Sequence, residues 1–155
     1  MKKYTDDNEI QSAAAVGLPD SHAGEIPFLF VRLEEGVDLS PSEIIDPLKQ
    51  LISERAAVPK EVFILDLILL TAIGKVFKSK LRWLAIETVY RRVLSGLGAQ
   101  GVSLDIRVCD DPSYGSLATI ALELAPESDD TVIRRQVTDL LGPYSIRYDL
   151  EFILV

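Results

Sequence analysis

Residues 58–82 read VPKEVFILDLILLTAIGKVFKSKLR, and the order of elements in the first half of the chain follows from them. Val62 to Leu65 form a short apolar run of the length typical of a buried strand. A loop containing threonine and glycine follows and ends at Lys75, and a helical pattern begins at Ser79. This order predicts that a strand, a short loop and a long helix present Lys75 to its surroundings. On composition alone Lys75 is a solvated loop lysine, as most lysines are.

The longest helical pattern covers residues 79–97. Its apolar residues recur every three or four positions, as on one face of a helix, and they are Trp83, Ile86, Val89, Tyr90, Val93, Leu94 and Leu97. Gly96 and Gly98 predict its end, because glycine commonly terminates helices.

Residues before this segment predict two strands and a helix. The strands cover residues 12–16 and 26–33, and the second is apolar on both faces, which is typical of a central strand. The turn between them, residues 19–24, contains proline and glycine. Ser40 is predicted as a helix N-cap, with Glu43 completing a capping box. Pro47 should kink or shorten this helix, since proline removes one backbone hydrogen bond.

The last third of the chain repeats this order. Residues 102–108 alternate between apolar and polar, residues 110–115 form a turn, and residues 118–124 form another strand. A helix capped by Ser128 and ended by Gly142 precedes a final strand over residues 146–154. We therefore expect an α+β fold of small sheets with helices packed on one face, in which strand–strand–helix–strand occurs on both sides of the long helix. An internal repeat and two similar packing solutions are both compatible with this pattern.

Composition and net charge exclude several classes of function for this chain. The chain has 155 residues, is 48% hydrophobic and carries a formal net charge of −8. It can bury a core, but it lacks the basic surface that nucleic acids require, and we expect neither nucleic-acid binding nor membrane insertion. A single cysteine, Cys109, excludes an internal disulfide, favours a cytoplasmic location and is interpreted as a small core residue. The single histidine, His22, lies in a turn without a second ligand, so we expect no metal site.

Several separate landmarks resemble the C-terminal domain of AMP-forming acyl-CoA synthetases. They occur in order and at matching spacing, and they are Ala15 to Asp20, Gly24-Glu25 followed by a strand, Ala57 to Val62, Asp66, and Thr71-Ala72-Ile73-Gly74-Lys75. The resemblance covers residues 12–97, so we expect a flexible lead-in over residues 1–11, the synthetase-like domain over residues 12–98 and an additional α+β tail over residues 99–155. The tail resembles, more weakly, that of a fatty-acid–CoA-ligase-like branch.

The resemblance implies a two-step reaction. ATP and a carboxylic acid give an acyl-adenylate with Mg²⁺, and coenzyme A then displaces AMP to give a thioester. Lys75 takes the role of the adenylation lysine. Thr71, Gly74 and Lys78 form the loop near the nucleotide and coenzyme A, and Asp20, Gly24 and Glu25 form a turn motif. ATP, AMP, coenzyme A and Mg²⁺ belong to the full enzyme, and none is expected bound to this chain alone.

Two departures from the family pattern leave alternatives open. Leu69 stands where the family usually has a proline, and no nucleotide-binding motif or hinge precedes residue 12, so the N-terminal ATP-binding domain is expected to be missing. The chain is then the mobile half of a fatty-acid–CoA ligase, inactive alone and completed in trans, or a non-catalytic binding module able to form a homodimer. A small-molecule-sensing domain is a third, fold-based possibility. Lys78, Lys80 and Arg82 contact coenzyme A phosphates or are ordinary solvated residues.

Overall fold

The computed structural model describes residues 9–154, which form two three-stranded sheets with helices. In chain order the elements are β1 (Ile10–Asp20), β2 (Gly24–Leu33), α1 (Pro41–Leu51), β3 (Glu61–Ile64), α2 (Lys78–Val93), β4 (Ser103–Asp111), β5 (Gly115–Leu124), α3 (Asp130–Leu141) and β6 (Arg147–Leu154). The predicted α+β class and the twice-repeated order are confirmed. The predicted lead-in falls mostly on residues 1–8, outside the described part, and β1 begins at Ile10.

The contacts divide the chain into two compact units. Of the described residues, the first unit contains those up to Leu18 and Glu25–Arg82, and the second contains Pro19–Gly24 and those from Trp83 onward. Helix α2 is therefore shared between the units, with its first turn in the first. The predicted boundary at residue 98 stays a prediction.

Strand β2 is the centre of the first sheet, as predicted, because the strand order is β1-β2-β3. It pairs with β3 in parallel, from Phe28 opposite Glu61 to Val31 opposite Ile64. One face of these strands packs with α1 in a cluster of Leu29, Val31, Ile44, Leu48 and Val62. The other face carries aromatic contacts, with the rings of Phe28 and Phe30 4.8 Å apart and Phe63 close to both.

Helix α1 begins as predicted. Ser40 and Glu43 form the full capping box, and Pro41 follows the cap. Pro47 lies inside the helix, which nevertheless continues to Leu51. Of the two predicted effects, shortening does not occur, and the kink stays a prediction. Burial of Ile44 and Leu48 on one helical face stabilises the helix despite the lost hydrogen bond.

The second sheet has the order β4-β5-β6. β4 and β5 are antiparallel from Ser103 opposite Glu123 to Asp111 opposite Gly115, and β5 and β6 are parallel. Helix α3 buries Ile133, Val137 and Leu141, which recur every four residues. The second half of the chain thus repeats the strand order of the first.

Three local predictions are wrong. Helix α3 is capped by Asp129, which accepts the backbone N–H of Thr131 at 2.9 Å, whereas the backbone N–H of Ser128 binds Ala125 in the preceding turn. Helix α2 ends at Val93, and a 3-10 segment over Ser95–Gln100 replaces its predicted last turn. Cys109 is exposed, because it continues the outward face of β4 rather than the inward face that buries Ile106.

No helix within residues 9–154 is long and apolar enough to cross a membrane.

Candidate functional site

Lys75 lies in a narrow loop that we call the lysine loop, residues 69–77. The base of the loop is closed by a backbone hydrogen bond of 2.9 Å from Phe77 N–H to Leu69 C=O and by an antiparallel bridge between Leu70 and Val76. At its tip, Thr71 N–H donates to Lys75 C=O at 2.6 Å. The loop is thus held by its own backbone, which gives Lys75 a defined position at its end.

Thr71 and Gly74 make the tight turn possible. The hydroxyl oxygen of Thr71 accepts the backbone N–H of Lys75 at 3.2 Å, and Gly74 N–H donates to Thr71 C=O at 2.9 Å. Gly74 has φ +79°, a conformation that strains any residue with a side chain, while the space around it is open. The structure therefore brings together Thr71, Gly74 and Lys75, three of the predicted site residues.

The side chain of Lys75 is exposed. Within the described ranges, no carboxylate lies within ion-pair distance of its ammonium. The ammonium is therefore available to an anion that approaches from outside the loop.

Large apolar side chains surround this lysine in the chain and are exposed as well. We call them the apolar patch; the exposed fractions are 59% for Leu67, 44% for Leu69, 58% for Leu70 and 79% for Ile73. The sequence predicted a buried strand over Val62 to Leu65 followed by a loop, and the exposure of these side chains was not predicted. These four exposed side chains lie within seven positions of the chain, and exposed apolar surface favours contact with other molecules.

Basic residues at the start of α2 adjoin the loop. Lys78 is the first residue of α2, and Lys78, Lys80 and Arg82 are all exposed. Lys78 and Arg82 line one hollow of about 320 Å³, together with Ser79 and residues 15–17 of β1.

The carboxylate of Glu25 lies over Gly17, at the position that a Cβ atom of a larger residue would occupy. The same carboxylate accepts a hydrogen bond from the Arg82 guanidinium at 3.4 Å, with both side chains about half exposed. Glu25 was predicted only as part of a turn motif, whereas its observed contact is with α2, the helix that follows Lys75. No local pattern indicated this contact, since 57 residues separate Glu25 from Arg82.

Asp20 and Gly24 build the β1–β2 turn and take no part in the lysine loop. The Asp20 carboxylate accepts the backbone N–H groups of Ala23 at 2.8 Å and His22 at 3.0 Å. These bonds lower the pKa of Asp20 below its ordinary value, because they stabilise its charged form. Gly24 follows with φ +79°. The turn at Asp111 and Gly115 has the same arrangement, since Asp111 accepts N–H groups from the second and third residues after it.

Comparison with known proteins shows which family the first part of the chain is similar to. Residues 3–75 match the family model described as the AMP-binding enzyme C-terminal domain. The chain carries such a domain. The matched segment ends at Lys75 and contains Thr71 and Gly74, so the tip of the lysine loop falls within the AMP-binding enzyme C-terminal domain.

A curated relative extends the similarity into the second unit. The chain is 35% identical over 125 residues to the marinolic acid–CoA ligase of Pseudoalteromonas sp. (strain SANK 73390). This match covers 81% of the chain, and therefore continues past residue 75, but only 19% of the ligase. The chain is thus homologous to an acyl-CoA ligase, and it spans about a fifth of the length of this relative.

Solved structures with local similarity include MatB from Rhodopseudomonas palustris, with 22% identity, TM-score 0.49 and coverage of 52% of this chain and 16% of that one. A fatty acyl-CoA synthetase from Mycobacterium tuberculosis has 28% identity, TM-score 0.47 and coverage of 52% and 16%. An acyl-CoA synthetase from Brucella canis has 29% identity, TM-score 0.47 and coverage of 52% and 15%.

Proposed function

We propose that this chain is the mobile part of a cytoplasmic fatty-acid–CoA ligase and supplies Lys75 for ATP-dependent formation of the acyl-adenylate. The observation that carries this proposal is the exposed ammonium at the tip of a loop closed by its own hydrogen bonds. Membership in the AMP-binding C-terminal domain family supports it.

Electrostatics explain why a lysine suits this position. In adenylation a carboxylate oxygen attacks the α-phosphorus of ATP and pyrophosphate leaves. The carboxylate and the triphosphate are both anions, so they repel each other. An ammonium group with three donors can bridge both anions and stabilise the charge that develops between them. The turn formed by Thr71 and Gly74 lets Lys75 extend away from its own domain toward reactants held elsewhere.

The apolar patch provides the means of docking. An adenylate-forming domain that covers Leu70 and Ile73 buries side chains that are 58% and 79% exposed here. Burial of this surface favours association and excludes water around the ammonium, which strengthens its attraction for the two anions. Lys78 and Arg82, which share one hollow on the same unit, are then available to phosphate groups of coenzyme A in the second step.

The test is carboxylate-dependent exchange between ATP and pyrophosphate by the chain together with an adenylate-forming domain, joined to it or added separately. We expect Lys75→Ala to lower exchange about 100-fold or more, the loss typical of removing one preorganised charge-stabilising donor. Lys49→Ala is the matched control, because Lys49 is an exposed lysine on α1 that pairs only weakly with Asp46 at 3.4 Å.

A second measurement separates the two steps. Lys75 acts on the attack of the carboxylate, so thioester formation from a supplied acyl-adenylate and coenzyme A should be unchanged in Lys75→Ala. Full exchange activity in that variant would refute the role of Lys75. Equal loss in both steps would mean that the substitution disturbs docking rather than adenylation.

A further inference from the structure

We propose that the free edge of strand β4 is a homodimer interface, at which β4 pairs antiparallel with β4 of a second copy about a two-fold axis at Ile106. Pairing of this kind joins the two β4-β5-β6 sheets into one sheet of six strands. The proposal does not depend on the role of Lys75, and its experiment measures association rather than catalysis.

The first observation is the unpaired edge itself. β4 is the outer strand of its sheet and pairs only with β5 in the described part of the chain. It is nine residues long, and its pairing with β5 is continuous. It contains neither proline nor lysine, the residues that commonly protect an edge from pairing with another chain.

The second observation is that the outward face of β4 is complementary to itself. Ser103, Asp105, Arg107 and Cys109 are all exposed on this face. Asp105 and Arg107 form a weak pair within the strand, with 3.5 Å between Oδ2 and Nε and side chains 65% and 71% exposed. A two-fold axis at Ile106 places residues that are equally far before and after position 106 opposite each other. Asp105 of each copy therefore lies opposite Arg107 of the other.

The inward face fits the same register. Leu104 of one copy then lies opposite Val108 of the other, and the two Ile106 residues lie opposite each other. Ile106 is 2% exposed and its two neighbours on this face are half-buried. Apolar residues thus meet apolar residues along one face while opposite charges meet along the other, so both faces favour one register.

Three neighbouring registers are unfavourable because they place like charges opposite each other. An axis at Asp105 would oppose two carboxylates, and an axis at Arg107 would oppose two guanidinium groups. An axis at Val108 would place Asp105 opposite Asp111. Like charges directly opposite each other destabilise a strand pair, whereas the axis at Ile106 pairs residues 103–109 of both copies without such a contact.

Charge reversal with mixing tests this interface. We expect the unaltered chain to form dimers in analytical ultracentrifugation. Asp105→Arg gives a copy with arginine at both positions 105 and 107, and Arg107→Asp gives a copy with aspartate at both. For each variant alone, the dissociation constant of the dimer should rise about tenfold or more, because like charges are then opposite each other. An equimolar mixture of the two should form dimers again, because every opposed pair is then of opposite charge.

The mixture distinguishes the interface from an effect within one chain. Neither variant retains its internal Asp105–Arg107 pair, and mixing cannot restore it, so recovery of dimers can arise only between copies. Asp149→Arg on the other edge strand, β6, is the matched control, since Asp149 is exposed and the charge change is identical. It should leave dissociation unchanged, and circular dichroism checks that all variants fold.

A cross-link tests the register. Ser103 of one copy lies opposite Cys109 of the other, so Ser103→Cys should give disulfide-linked dimers under mild oxidation. Adding Cys109→Ser to this variant removes the partner thiol and should abolish the cross-link. A monomeric unaltered chain would overturn the proposal and leave the edge to a strand of a different polypeptide. The proposal would also be overturned if the charge-reversal variants dissociate no more readily than the unaltered chain and Ser103→Cys forms no disulfide-linked dimer.

Discussion

A single residue, Asp20, stabilises the turn that precedes β2. Asp20 accepts two backbone N–H groups, and these bonds depress its pKa from the ordinary value of 3.8. When the pKa is lower in the folded state, the unfolded chain takes up the proton first. The stability from Asp20 is therefore present above pH 3.8 and is lost as the pH falls below it.

We expect Asp20→Asn to reduce the loss of stability between neutral pH and pH 3, because asparagine does not titrate. The measurement is urea unfolding at a series of pH values, with the unfolding midpoint as the readout. Asp38→Asn serves as the control, since Asp38 is exposed and makes no hydrogen bond with the turn. An identical acid profile for Asp20→Asn and the unaltered chain would contradict this assignment.

Residues that lie close together in the chain could be placed together from the sequence, as in the lysine loop, whereas distant ones could not. The resemblance to a known family placed Thr71, Gly74 and Lys75 in one loop, and the turn is closed by bonds between these same residues, while their role in a site stays a prediction. The contact of Glu25 with Arg82 was not predicted, since 57 residues separate them in the chain and only folding brings them together.

Helix α1 shows how one element depends on its first residue. The Ser40 hydroxyl accepts Glu43 N–H at 3.3 Å, and the Glu43 carboxylate accepts Ser40 N–H at 2.7 Å. The two bonds satisfy backbone donors that the helix start would otherwise leave to water.

Ser40→Ala should lower the free energy of unfolding by about 1 kcal/mol, the usual loss for an N-cap. Ser40→Asp should retain most of the stability, because a carboxylate also accepts the capping bond and favours the positive end of the helix dipole. Urea unfolding of both variants is the measurement. Equal losses in both would show that the hydroxyl acts by packing rather than by capping.

The start of α1 and the alternation of the strands were predictable, whereas the cap of α3 and the end of α2 were not. The capping box of α1 and the central position of β2 follow from local composition and were confirmed. The end of α2 at Val93 was missed, because its helical spacing continues to Leu97, which is buried from a 3-10 segment instead. A periodic pattern records which residues become buried and does not distinguish an α-helix from a 3-10 continuation.

Stability across the whole molecule should follow the two sheets. Strands β2 and β5 each lie between two neighbours, and their apolar side chains are largely buried, including Phe28, Phe30, Ile120 and Leu122. The lysine loop has backbone hydrogen bonds but is exposed. Exposed hydrogen bonds open with lower free energy than those in a buried core.

Hydrogen exchange followed by NMR or mass spectrometry should therefore find the slowest amides in β2 and β5. Exchange in residues 71–75 should be at least 100-fold faster. A lysine loop protected to the same degree as β2 would show that it is covered in the free chain, and this would contradict an exposed docking surface. Covering by an adenylate-forming domain should slow exchange in the loop and leave β5 unchanged.

The amino-acid sequence alone determined the order of strands and helices, the turns at Asp20 and Asp111, and the family of residues 3–75, because spacing, caps and turn residues act over a few positions of chain. Only the tertiary structure decided that β2 and β3 run parallel, that Leu70 and Ile73 remain exposed beside Lys75, and that β4 has a free edge carrying Asp105 and Arg107. Exposure and strand pairing depend on neighbours that are distant in the chain, and no local pattern specifies them.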